Sequence, residues 1–341
     1  MYLLCNRYKS ILILFSIKVK QIIYLNACLL YNRCMEKSVN SERGPGSVSG
    51  GIAFSAAVVA YIILSLIFSA ICSATGFNAE DEAYIYISYL LAPVAIAVSV
   101  PVVLRVRGVS YREMFPVKIS PAKNGVKWCG AALLLTFGLL FSLSWLNVGF
   151  EKLLRLLGYE GQNSYFPDLS GGKAALALLV MAVIPAVFEE ALFRGVLLQN
   201  IRREAGELNS IFLCGMCFAL FHASAVQTFY QFACGCTFAL LAIRSRSVTP
   251  CVLAHFLNNA VIIVLQACGV ETAGTVFDWV PLWAAVLITV LSVISFAGGI
   301  ALLVCDKTPL GKPLKGGVKN FFFAAAAGII ALVVLWIAGL F

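Results

Sequence analysis

Long runs of apolar residues alternate with short polar connections along almost the whole chain. The hydrocarbon core of a bilayer is about 30 Å thick and a helix rises about 1.5 Å per residue, so about 18 or more consecutive apolar residues predict a membrane span. The runs lie near residues 52–74, 85–105, 127–148, 173–201, 208–225, 229–244, 248–268, 279–304 and 320–340. Because a helix satisfies its own backbone hydrogen bonds in lipid, the pattern predicts an all-α, polytopic transmembrane helical bundle with about eight to nine spans.

The composition indicates lipid rather than water as the solvent. Hydrophobic residues make up 61% of the 341 residues and charged residues only 12%, whereas a soluble domain carries about 25% charged residues. The net charge of +9 is spread over short connections and forms no basic stripe with interleaved aromatic residues, so we expect no nucleic-acid partner. We expect a multi-pass protein of the cell membrane, surrounded by the lipid bilayer.

Basic residues mark every second connection, which predicts the orientation of the spans. They occur within 105–127, at 202–203, at 244–246 and within 307–319. Since cytoplasmic loops carry the excess of Lys and Arg, these four connections are expected in the cytoplasm.

The first 34 residues differ in composition from the rest of the chain. They are rich in Lys, Ile, Tyr and Asn, whereas the body is rich in Ala, Gly, Val and Leu. No small-residue cleavage site follows their apolar part, which argues against a secretory signal. The contrast favours translation that begins at Met35, and the alternative is an amphipathic helix at the membrane interface.

Charged side chains inside an apolar run are the first sign of a functional site. Glu189, Glu190 and Arg194 share one run, and the two glutamates are the only acidic residues in any of the runs. A charge at the bilayer centre costs about 2.5–3.5 kcal/mol, so it usually has a partner and a role. Glu190 and Arg194 are four residues apart and are predicted to pair, whereas Glu189 points about 100° away and stays available as a base. Pro185 is expected to bend the helix beside Glu189.

The two histidines of the chain, His222 and His255, both lie in apolar runs. Phe218 precedes His222 by one helical turn, and Asn259 follows His255 by one turn. Asn258 points about 100° away from His255, so Asn259 is predicted to be its partner. A single such histidine is more often structural. Two of them, together with an Asn and an unpaired Glu, favour a functional site.

This set of side chains suits hydrolysis. A desolvated Glu can take a proton from water with the help of a His, while the second His and an Asn amide donate to the oxyanion. Alternatively, two His and one Glu could bind zinc and leave a fourth position for water. The residues leave both mechanisms open. No Ser–His–Asp set, HExxH motif or Gly-rich phosphate loop is present.

Three motifs occur in order, each at helical spacing: EExxxR at 189–194, FxxxH at 218–222 and HxxxN at 255–259. Together they resemble the motifs of the CAAX-protease and bacteriocin-processing family of intramembrane peptidases, which includes the eukaryotic prenyl-protein endopeptidase. The resemblance extends over about residues 173–268.

The resemblance implies roles for these residues. Glu189 would be the catalytic base and His255 would help it to activate water, while His222 and Asn259 would line the oxyanion site. The remaining motif residues would support them, namely Glu190, Arg194 and Phe218. The family has been described both as metallopeptidases and as metal-free glutamate enzymes. A divalent metal such as zinc, held by Glu189, His222 and His255, therefore remains open.

The expected function is that of an intramembrane endopeptidase of the CAAX type. It would hydrolyse a peptide bond near the C-terminus of, or within, a membrane-associated substrate such as a peptide or a lipid-modified protein. One alternative is a catalytically silent scaffold or bacteriocin-immunity protein. Another is a proton-coupled transporter, which the absence of an internal repeat disfavours. Four parts of the chain are predicted: an extension and polar leader at 1–50, N-terminal helices at 51–150, a catalytic four-helix core at 173–268 and C-terminal helices at 279–341.

Overall fold

The structure, a computed structural model, describes residues 47–109, 122–159, 165–270, 272, 274–306 and 318–340. The N-terminal extension, most of the basic connection at 105–127 and most of the one at 307–319 lie outside the described residues. The described residues contain helices and no strand, which confirms the predicted all-α polytopic bundle. They belong to one compact unit that begins at Gly46.

The helices follow the apolar runs. The first four are α1 (Ser47–Thr75), α2 (Glu82–Val106), α3 (Ala122–Leu143) and α4 (Trp145–Leu156). Helix α5 is a chain of consecutive segments: Lys173–Ala177, Leu178–Val183, Ile184–Glu190, Ala191–Leu197 and Leu198–Ala205. The rest are α6 (Glu207–Phe221), α7 (Thr228–Ser245), α8 (Thr249–Ala267), α9 (Val276–Trp279), α10 (Leu282–Val304) and α11 (Val318–Ala338).

Seven helices of the described chain are long and apolar enough to cross a membrane. Helices α6 and α7 are not among them, and they correspond to the fifth and sixth predicted runs. Helix α6 has 15 residues, which at about 1.5 Å each span about 22 Å, less than the hydrocarbon core. It ends at Phe221 and not at residue 225 as predicted, and a non-helical connection at 222–227 leads to α7.

Small residues allow close packing where the helices cross. A Cβ atom added to Gly138 of α3 would lie 2.5 Å from the Cβ atom of Phe296 in α10. One added to Gly235 of α7 would lie 2.7 Å from the Cα atom of Gly215 in α6. Such contacts are typical of membrane bundles, in which packing rather than the hydrophobic effect holds the helices together.

Ion pairs at the helix ends agree with the predicted orientation. Lys127 pairs with Asp306 at 2.6 Å, and Arg244 pairs with Glu207 at 2.9 Å, both at the end predicted to be cytoplasmic. At the opposite end, Lys173 lies 2.9 Å from a carboxylate oxygen of Glu82 and 2.9 Å from one of Asp168. The connections that the charge pattern assigns to one side of the membrane are therefore also joined to each other by ion pairs in the structure.

Candidate active site

Helix α5 brings both glutamates into the centre of the bundle. Leu178–Val183 and Ala191–Leu197 are π-helical, and the α-helical segment between them, Ile184–Glu190, carries Glu189 and Glu190. A π-helical segment ends two residues before Pro185, near which the sequence predicted a bend. Segments of this kind occur frequently at functional sites, because they change which side chains face the interior.

Glu190 is the centre of the polar contacts. Its Oε1 atom accepts a hydrogen bond from Nη1 of Arg194 at 2.7 Å, which confirms the predicted ion pair. The same oxygen lies 2.9 Å from Nδ1 of His255 in α8. The second contact joins two helices and takes the place of the predicted pairing between His255 and Asn259. A carboxylate outcompetes a neutral amide as the acceptor for a histidine N–H, because the hydrogen bond is charge-assisted.

Arg194 is fully buried, and several groups compensate its charge. Its Nη2 atom donates to the carbonyl oxygen of Gly235 at 3.0 Å. The guanidinium carbon lies 4.5 Å from the ring centroid of Phe218 and 5.3 Å from that of Phe238, within the range of cation–π attraction. A buried ion pair is stable only with such additional partners.

His255 presents one ring nitrogen to Glu190 and the other to Glu189. Since a carboxylate only accepts, Nδ1 carries the hydrogen and Nε2 of the neutral ring has a free lone pair. Nε2 lies 4.0 Å from Oε2 of Glu189, too far for a direct hydrogen bond. The Glu189 Oε2 atom is buried and has no hydrogen-bond partner among the described residues. Two hydrogen-bond acceptors, Nε2 of His255 and Oε2 of Glu189, therefore face each other, and a molecule that donates two hydrogen bonds could bridge them.

His222 caps the C-terminus of α6. Its Nδ1 atom lies 2.9 Å from the carbonyl oxygen of Phe218, so Nδ1 carries the hydrogen here as well. The Phe218 ring contacts both histidines, with centroid distances of 4.7 Å to His222 and 5.7 Å to His255. The three predicted motifs thus meet around one aromatic ring. With Nδ1 occupied, His222 can donate through Nε2 only when the ring is protonated.

Two polar residues near the site, Tyr230 and Asn258, were not predicted to belong to it. The Asn259 amide nitrogen donates to the carbonyl oxygen of Met181 at 3.4 Å. Asn258, which the helical geometry placed away from His255, donates to Asn259 at 3.3 Å and accepts from the Tyr230 hydroxyl at 2.6 Å. The signal in the sequence was an Asn in an apolar run, since a buried amide needs partners.

The residues proposed to bind a metal do not form a shared site. In the part of the chain that the structure describes, no group of three or more His, Cys, Asp and Glu side chains lies close enough to hold one metal ion. Glu189, His222 and His255 as arranged therefore do not fit a three-ligand zinc site.

The described residues thus form a multi-pass membrane protein with a buried Glu–His cluster between its helices. Residues 171–261 match the family described as Type II CAAX prenyl endopeptidase Rce1-like. This segment contains all the predicted site residues, and the match confirms the resemblance seen in the motifs. The match supports a CAAX-type endopeptidase, a hydrolase. Comparisons with curated proteins and with solved structures gave no match.

Proposed function

We propose that the protein is an intramembrane endopeptidase of the cell membrane. It hydrolyses a peptide bond near the C-terminus of, or within, a membrane-associated substrate. The observation that carries the proposal is the 4.0 Å gap between Oε2 of Glu189 and Nε2 of His255, inside the segment that matches the family. Both atoms accept hydrogen bonds, so a water molecule placed between them donates to both and turns a lone pair towards the substrate.

Glu189 acts as the general base. It takes one proton of the water while the oxygen attacks the carbonyl carbon of the scissile bond, and the carbonyl oxygen becomes an oxyanion. Collapse of the tetrahedral intermediate breaks the C–N bond, and the proton held by Glu189 passes to the leaving amine. The products are a carboxylic acid, which keeps the second proton of the water, and an amine, and a single Glu serves both proton transfers. The mechanism as proposed needs no metal.

Asn259 and His222 stabilise the oxyanion. Asn259 uses one N–H for the Met181 carbonyl and keeps the second for the substrate. His222 contributes through Nε2 when its ring is protonated. Loss of a single oxyanion donor typically costs about 10²–10³ in rate, so each of these side chains matters for turnover.

Glu190 and Arg194 support the site without contact with the substrate. Glu190 fixes the orientation and tautomer of His255 through the 2.9 Å contact with Nδ1. Arg194 pairs with Glu190 at 2.7 Å and keeps its carboxylate in place. A buried carboxylate thus orients the histidine of the site, an arrangement that recurs among hydrolases.

The substrate class follows from the position of the site. A reaction centre among membrane helices receives a chain that is itself held in the bilayer, such as a lipid-modified protein or an apolar peptide. The family description names prenyl endopeptidases. A prenylated CAAX sequence, in which a lipid-bearing Cys is followed by three residues, is therefore the first substrate to test.

The test compares the wild type with Glu189→Gln in matched cells. Glu80→Gln, a change at an exposed glutamate between α1 and α2, is the control. Membrane and released peptides are compared by mass spectrometry, and the purified proteins are assayed on a quenched fluorescent peptide with a farnesylated CAAX end. Cleavage by the wild type and the control, but not by Glu189→Gln, supports the proposal. Identical peptide profiles at equal protein levels would favour the catalytically silent scaffold instead.

A further inference from the structure

Three side-chain hydrogen bonds form a continuous chain across helices α7, α8 and α5. The Tyr230 hydroxyl donates to Oδ1 of Asn258 at 2.6 Å, and Nδ2 of Asn258 donates to Oδ1 of Asn259 at 3.3 Å. Nδ2 of Asn259 then donates to the carbonyl oxygen of Met181 at 3.4 Å. The chain ends on the same helix that carries Glu189.

Pro185 lies one turn after Met181, the residue on which the chain of hydrogen bonds ends. Proline has no N–H, so residue 185 donates no backbone hydrogen bond to the preceding turn. Met181 lies in the π-helical segment Leu178–Val183, which ends two residues before Pro185. The amide of Asn259 thus binds a carbonyl of the turn to which the proline supplies no donor.

Every link in the chain has a fixed direction. A carbonyl oxygen only accepts, so Asn259 must present Nδ2 to Met181 and Oδ1 to Asn258. Asn258 must then present its own Nδ2 to Asn259 and its Oδ1 to the Tyr230 hydroxyl. Both Tyr230 and Asn258 are buried, and a flipped amide would leave buried groups unpaired at a cost of about 1–3 kcal/mol each. The Met181 carbonyl thus sets the direction of the chain, and Asn258, held in turn by the Tyr230 hydroxyl, supplies the donor that keeps the Asn259 amide in that orientation.

We infer that Tyr230 and Asn258 are positioning residues for the reaction, which hold the Asn259 amide with its second N–H directed at the substrate carbonyl. The inference rests on the proposed function, in which Asn259 donates to the oxyanion. A flipped Asn259 would turn its carbonyl oxygen towards the developing negative charge. The chain from Tyr230 to Met181 prevents this flip.

The first test removes the donor between residue 258 and Asn259 with little change in the shape of the side chain. In Asn258→Asp, the ionised carboxyl group still accepts from Tyr230 but can no longer donate to Asn259. We expect kcat on the farnesylated peptide to fall roughly tenfold or more at pH 8, with KM within about twofold. When the introduced carboxyl group is protonated at lower pH it regains a donor, so the ratio of variant to wild-type kcat should rise as pH falls. A ratio that stays constant with pH would overturn the inference.

The second test removes the hydroxyl at the start of the chain. Tyr230→Phe should lower kcat severalfold with KM unchanged, whereas Tyr89→Phe, a change at a half-exposed residue of α2, should have no effect. Equal kcat for Tyr230→Phe and the wild type would contradict the positioning role.

A double-mutant cycle, with the thermal unfolding midpoint in detergent micelles as its readout, tests the hydrogen-bond chain without any substrate. In Asn259→Ala the chain is already broken, so adding Tyr230→Phe should shift the midpoint by less than it does in the wild type. Additive shifts would show that the chain is absent and overturn the inference. If the wild type cleaves nothing but the cycle is non-additive, the proposed function fails while the hydrogen-bond chain stands.

Discussion

Glu190 and His255 are 65 positions apart in the sequence, yet their Oε1 and Nδ1 atoms lie 2.9 Å apart in the interior of the bundle. This contact gives two adjacent glutamates different roles. Oε1 of Glu190 contacts both Arg194 and His255, whereas Glu189 lies 4.0 Å from the other nitrogen of the same imidazole. In the proposed mechanism, one carboxylate orients the histidine and the other acts on a water molecule.

Substitution of the two glutamates should therefore separate stability from activity. Glu190→Gln leaves Arg194 buried without its counter-charge, which should cost about 3–5 kcal/mol of unfolding free energy. Glu189→Gln removes no ion pair of this strength and should leave the thermal midpoint close to that of the wild type while it abolishes cleavage. The measurement is thermal unfolding in detergent micelles, followed by the peptide assay.

The double variant Glu190→Gln with Arg194→Met supplies the control. It removes both buried charges, so it should be more stable than Glu190→Gln alone. A double variant that is less stable than either single one would show that the ion pair is not the main contribution of these residues.

Local geometry was sufficient to predict part of this site. The pairing of Glu190 with Arg194 depends on positions four apart on one helix, and the structure confirms it. The pairing of His255 with Asn259 used the same rule and was wrong, because a carboxylate on another helix offers a stronger acceptor. Which helices pack together is a tertiary property, and spacing along one helix carries no information about it.

The fold shows the same division between local and tertiary information. Hydrophobic run length predicted the bundle, but not that α6 ends at Phe221 with His222 as its cap. The residues after His222 are apolar enough to continue a span, and only their packing shows where the helix stops. Tyr230 and Asn258 were missed for a related reason: their hydrogen bond crosses between two helices.

Close contact between α6 and α7 should be essential for the position of Arg194. A methyl group at residue 235 would lie 2.7 Å from the Cα atom of Gly215, so Gly235→Ala must push the helices apart and move the carbonyl that Arg194 binds. We expect a loss of about 1–3 kcal/mol of stability, together with reduced activity. Gly298→Ala in α10 is the matched control, because no atom lies within 4 Å of the added group. Equal thermal midpoints for the two variants would contradict this account of the crossing.

The C-terminal helix is expected to stabilise the connection that follows His222. The Trp336 indole donates to Oγ1 of Thr228 at 2.7 Å, and that hydroxyl donates to the carbonyl of Ser224 at 2.9 Å. Trp336→Phe should lower kcat severalfold, because His222 loses its fixed position. Trp283→Phe should not, since Trp283 is 73% exposed on the outer surface of α10. Peptide cleavage by the two variants, normalised to folded protein, provides the comparison.

Acid should weaken the polar contacts at the opposite end of α5. Hydrogen bonds from Lys173 and then from Ser170 lower the pKa of Asp168 to about 2. A carboxyl group with a lowered folded-state pKa contributes stability above its unfolded pKa of about 3.9, and that contribution disappears as the pH falls through about 2. The thermal midpoints of the wild type and Asp168→Asn should therefore differ at pH 6 and converge towards pH 2. Because Asp168 is exposed, the difference in thermal midpoint should be small. A difference that does not narrow at low pH would mean that it arises from something other than the charge of Asp168.

Metal removal distinguishes the two mechanisms that the residue types leave open. Glu189 and the two histidines do not form a group able to hold one ion in the described chain, so activity should survive dialysis against EDTA and 1,10-phenanthroline. The same preparation should contain no stoichiometric zinc by elemental analysis, and added zinc should not raise kcat. A loss of cleavage that zinc restores would mean that substrate binding draws His222 towards Glu189 and His255. The free Nε2 lone pairs of the two histidines would then be metal ligands, and the water would be activated by the ion and not by Glu189 alone.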